Sequence, residues 1–98
     1  MPTYIVLGQF TDQGIKNVAD TTRRAEALKE MGRKAGADIK EVYWTVGHYD
    51  IATIIEAPDD ATLTALLLSI GRLGNVRTQT LRAFSASEMQ GILGRVQQ

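Results

Sequence analysis

Residues 38–57 read DIKEVYWTVGHYDIATIIEA, and this stretch decides the fold. Two runs rich in β-branched and aromatic residues, Asp38 to Val46 and Asp50 to Ala57, flank the short connection Gly47-His48-Tyr49. Strand-type runs joined by so short a turn read as a β-hairpin. Glycine supplies the positive φ that such a turn requires.

Outward from the hairpin, both flanks change period. Towards the N-terminus, Ile15, Val18, Thr22, Ala25, Leu28 and Met31 recur at spacings of three and four, which predicts one amphipathic helix reaching Lys34 and stopped by Gly36. Towards the C-terminus, Pro58-Asp59-Asp60 opens a second helix with a capping carboxylate and another near the positive dipole end. Leu63, Leu66, Leu67, Ile70 and Leu73 form its expected buried stripe, and Gly74-Asn75 ends it. Strand-type runs lie beyond each helix, Thr3 to Phe10 and Val76 to Phe84. Ser85 to Glu88 has capping-box spacing and starts a short C-terminal helix, with the chain loosening near Gln97 and Gln98. The order βαββαβ predicts a ferredoxin-like α+β domain over residues 1–98, with an antiparallel four-stranded sheet carrying helices on one face.

The alternation of the strands carries a second expectation. Tyr4, Val6 and Phe10 share one face of the first strand, and Ile5 and Leu7 share the other. In the second strand Ile39 and Tyr43 are read as opposing Val42, Trp44 and Val46; in the third, Ala52 and Ile54 oppose Ile51 and Ile55. Both sheet faces are therefore apolar, whereas a solvated face would read polar at alternate positions. A second copy of the chain is the expected cover, giving a homodimer or higher homo-oligomer of barrel type with room for a small-molecule ligand between sheets.

Composition narrows the partners. Eleven basic and eleven acidic residues cancel, which speaks against nucleic acid and anionic membranes. Arg23, Arg24, Lys29, Arg33 and Lys34 interleave with Asp20, Glu26 and Glu30, the pattern of a solvated helix face. With no cysteine, disulfides, thiolate catalysis and Cys-ligated zinc are excluded. No apolar run reaches the roughly 20 residues of a membrane span and no signal-type start is seen, so a cytoplasmic protein is expected.

The segments Gly47-His48-Tyr49-Asp50, Ile51 to Ile55 and Glu56-Ala57-Pro58-Asp59-Asp60 resemble the signature of the GYD domain family of small bacterial proteins. So do Gly74 to Phe84, Tyr4 to Thr11 and Gly14-Ile15-Lys16. The resemblance implies a ferredoxin-like, dimeric α+β barrel fold. It implies no catalytic set and no cofactor.

Two groups of residues are candidate ligand sites. The expected topology collects Gln9, Thr11, the hairpin Thr45 to Asp50, Asn75 and Arg77 at one end of the sheet. There Arg77 would hold an anionic group, Asp50 or His48 would move protons, and Tyr49 would sit at the rim. The structural alternative makes Gly47 a turn residue and Asp50 a hairpin cap or a partner of Arg77. Tyr4, Tyr43, Thr80 and Arg82 form the second group, read as lining the surface that a partner covers, with Thr78 beside them. No metal site is expected, because His48 is the only histidine and no carboxylates share ligand spacing. The expected function is a homo-oligomeric small-molecule-binding or assembly module. The alternative is a small dimeric α+β barrel enzyme, similar to cofactor-free oxygenases that act on aromatic or quinone-like substrates.

Overall fold

The structure is a computed structural model and describes residues 1–97. Strands β1 (Thr3–Phe10), β2 (Asp38–Trp44), β3 (Ile51–Glu56) and β4 (Val76–Ala83) form one antiparallel sheet in the order β2-β3-β1-β4. Helices α2 (Thr21–Ala35) and α3 (Asp60–Gly71) supply the βαββαβ crossovers, so the ferredoxin-like arrangement stands as the sequence implies. Two further helices, α1 (Asp12–Lys16) and α4 (Ala86–Leu93), complete the chain.

The core lies between the sheet and the two long helices. Tyr4, Val6, Ile39, Ile55, Leu63, Leu66 and Ile70 are buried there. Each large apolar side chain so buried contributes about 1.5–3 kcal/mol. Asp59 caps α3 by accepting the Thr62 N–H at 2.7 Å, which holds its carboxyl below the usual carboxylate range. The charged face of α2 carries the pairs Arg23–Asp20, Lys29–Glu26 and Arg33–Glu30, all solvent-facing. Such pairs add little stability and agree with a solvated face.

Three local expectations are corrected. The single helix predicted to run through Ile15 to Lys34 is broken: α1 ends at Lys16 with Asn17 as its C-cap, a 3-10 turn covers Val18–Asp20, and α2 starts at Thr21. Thr11 and Gln13 bind α1 to the turn before β4, through Thr11 N–H to Asn75 O (3.1 Å) and Gln13 Nε2 to Leu73 O (3.0 Å). The chain must then redirect before it can cross the sheet, and Ile15 and Val18 are left exposed. Likewise α3 ends at Gly71, so Leu73 falls beyond its buried stripe and is also exposed. The third correction concerns β2. A bulge between Ile39 and Glu41 sets Ile39 opposite Ile55, Val42 opposite Thr53 and Trp44 opposite Ile51. Ile39, Val42 and Trp44 thus share the helix side, and Glu41 and Tyr43 take the other.

The second sheet face carries Ile5, Leu7, Ala52, Ile54, Tyr43, Gln79 and Leu81, and no helix covers it among the described residues. Helix α4 stands off the body without a buried residue, and Phe84, Met89 and Leu93 remain exposed beside it. The radius of gyration, 14.9 Å, exceeds the roughly 13 Å of a compact chain of this length, in keeping with that projection. The capping box of Ser85 and Glu88 forms as its spacing implies. The loosening expected at Gln98 lies outside the described residues.

Candidate functional site

The hairpin end of the sheet is built from backbone outward. Gly47 adopts a φ of +128° between Thr45 and Asp50, whose backbones pair at 2.8 Å. Asp50 places its backbone N–H on Gly8 O and accepts the Phe10 N–H on Oδ2, both at 2.8 Å. Its carboxylate is therefore committed to the last backbone donor of β1, which is the cap role. Arg77 lies opposite Gln9 on the uncovered face, exposed and without a salt bridge among the described residues. Tyr49 reaches over that face to donate its hydroxyl to Gln79. The His48 ring is exposed and meets the Tyr49 ring edge-on at 4.9 Å, while its carbonyl accepts from Gln9 Nε2 at 2.9 Å. The expected gathering of His48, Tyr49, Asp50 and Arg77 at one end is thus present, with Asp50 and Tyr49 already bonded within the fold.

The second group is not brought together. Tyr4 pairs with Arg82, and Val6 with Thr80, on the helix side of the sheet, whereas Tyr43 stands exposed on the opposite face of β2. Register decides this: the side chain that pairs with a core residue shares its side. Thr78 and Thr80 lie on the edge strand β4, exposed although they face the helix side. Tyr4 donates its hydroxyl to Asp60, and this bond to a carboxylate, with burial, raises the phenol above its ordinary value. Arg82 lies over the Phe84 ring at 4.5 Å, near the Tyr4 ring at 5.6 Å, and reaches Glu88 at 3.8 Å. It serves as a clamp between β4 and α4.

A feature that sequence reasoning missed is an apolar cavity of about 140 Å³ between α2, α3 and the sheet. At Gly32 α2 presses close: a Cβ there would stand 3.2 Å from Ile39 and 3.7 Å from Leu66. Towards Thr21 the helix leaves a wedge, walled by Phe10, Leu28, Val42, Trp44, Leu73 and Val76. Several of the polar groups around it are engaged. Trp44 Nε1 donates to Thr21 Oγ1 at 2.9 Å, and Thr53 Oγ1 donates to Val6 O at 3.2 Å. Arg24, read as part of a solvated face, is half-buried and donates to Asn17 O (2.8 Å) and Gly14 O (3.3 Å). The signal that could have found it is the pair of helix-breaking residues, Gly14 and Asn17, whose carbonyls it satisfies.

Residues 4–93 match the GYD domain family. The chain belongs to the GYD domain family. A Thermus thermophilus relative named as a glutamine synthetase and cystathionine beta-lyase binding protein is 33% identical over 90 residues, spanning 91% of this chain and 95% of its own. Among solved structures, TTHA0845 from Thermus thermophilus is 30% identical, with a TM-score of 0.57 over 88% of this GYD chain and 96% of that one. The crystal structure of an FFRP protein superposes with a TM-score of 0.62 at 21% identity, covering 86% of this chain and 100% of that one. That likeness shows the fold alone. No helix of this GYD domain among the described residues is long and apolar enough to cross a membrane.

Proposed function

We propose that this GYD domain is a homo-oligomeric, non-catalytic assembly module of the bacterial cytoplasm that binds a partner protein. The observation that carries the reading is the uncovered sheet face, where Ile5, Leu7, Ile54 and Leu81 stand side by side on three neighbouring strands. Burying such a face against a second copy removes apolar area from water at about 25 cal/mol per Å². The relative's name, a binding protein for two enzymes, supports the partner half of the proposal. The enzyme alternative draws less support, because the titratable candidates are split. Tyr4 and Arg82 lie at one end of the sheet and His48, Tyr49, Asp50 and Arg77 at the other.

Ile54 pairs with Ile5 on β1 and Glu41 on β2, at the middle of the uncovered face. Ile54→Lys puts a charge there and is expected to convert an oligomer into a folded monomer, with unchanged far-UV circular dichroism. Light scattering after size exclusion reads the first effect. Purified glutamine synthetase and cystathionine β-lyase from the same host, passed over immobilised wild type and variant, read partner binding. Wild type that is monomeric at micromolar concentration would overturn the self-association. Retention of neither enzyme would overturn the partner class.

A further inference from the structure

We infer that the wedge between α2, α3 and the sheet is a binding site for a small, uncharged, single-ring aromatic molecule. This goes beyond the assembly reading and does not depend on it. Three observations carry it. The volume, about 140 Å³, is on the scale of apolar cavities that bind one benzene-sized molecule. The walls include the rings of Phe10 and Trp44, which favour an aromatic occupant through edge-to-face and offset contacts. No buried side-chain nitrogen or oxygen among the described residues lacks a hydrogen-bond partner, so no orphaned buried group calls for a polar ligand.

Arg24 lines the wedge as its one cation, with its guanidinium drawn to two backbone carbonyls, Asn17 O and Gly14 O, and benzoate tests whether its remaining donors select an anion. The wedge also exists because of its small residues. Gly8 lines it from β1 and Ala25 from α2, where larger side chains would fill it. A Cβ at Gly8 would meet nothing closer than Ile51 Cβ at 3.7 Å, so the fold tolerates a side chain there.

Trp44 is the only tryptophan, so its fluorescence reports occupancy directly. The experiment titrates the full chain with toluene and with benzoate, following Trp44 emission and Tm. Toluene at about ten times its Kd is expected to raise Tm by about 6–11 °C and to change the emission, and benzoate to do neither. Ala25→Leu is expected to abolish both toluene effects. If that variant does not fold, Gly8→Val replaces it with the same expectation. The Ile54→Lys variant is expected to keep the toluene response, because the wedge lies within one chain. The inference is overturned if toluene has no effect up to its solubility, or if benzoate binds as well as toluene. It is equally overturned if the response survives cavity filling, or if it disappears with monomer formation, which would place the ligand between copies.

Discussion

Gly14→Ala is expected to lower the stability of this GYD domain by about 3 kcal/mol or more, which places it among the severe substitutions. A Cβ at Gly14 would stand 2.0 Å from Asn75 O, 2.9 Å from its carbonyl carbon and 3.2 Å from its Cα. These are backbone atoms at the start of β4, so no side-chain rotation relieves the overlap. Separation would break the bonds that tie the two segments, Thr11 Oγ1 to Gly74 O at 2.5 Å and Gln13 Nε2 to Asn75 Oδ1 at 2.9 Å. Thermal unfolding should show Tm lower by roughly 12 °C or more. Gly91→Ala is the matching control. Nothing lies within 4 Å of a Cβ there, and removing a glycine from a helix interior raises stability by about 0.5–1 kcal/mol. Equal behaviour of the two variants would show that α1 does not press on the turn before β4.

Leu66→Ala is expected to cost about 3 kcal/mol, measured by urea unfolding. Leu66 is 2% exposed, sits in the core cluster and approaches Gly32 where α2 and α3 come together. At the tight end of the wedge the neighbours cannot collapse into the space left behind. Leu68→Ala, on the same helix at 69% exposure, should stay within about 0.5 kcal/mol of wild type. A loss below about 1 kcal/mol for Leu66→Ala would mean that the helix layer is not what holds the sheet.

The fold was legible because hydrophobic period reports which elements form. The hairpin of residues 38–57 reads at period two, and α3 reads at the helical period with Asp59 at its cap. Register was less legible. The bulge after Ile39 adds one residue to β2, and alternation alone cannot reveal an extra residue that shifts Val42 and Trp44 to the side of Ile39. The break at Asn17 was hidden for a related reason. Ile15 and Val18 keep helical spacing, while the contacts that divert the chain come from residues 73–75, far along the sequence.

The candidate residues divide the same way. The cap formed by Asp50 follows from its place beside a tight turn, and the gathering at the hairpin end follows from topology. The grouping of Tyr4 with Tyr43 failed because one extra residue in β2 separates their faces. The wedge could not be read, since its walls come from residues far apart in sequence that only the fold brings around Gly8 and Ala25.

Helix α4 has a consequence of its own. Its eight residues fall short of the roughly 12–15 at which an isolated helix persists in water. The capping box and the Arg82 clamp hold its first turn, and beyond it Ile92 is the one half-buried residue of the helix. A surface that came to rest on Met89 and Leu93 would have to hold so short a helix in place, so part of the contact's favourable free energy would offset lost conformational freedom. A contact made through α4 would therefore gain less free energy per unit area than one made through the sheet, whose strands are already ordered.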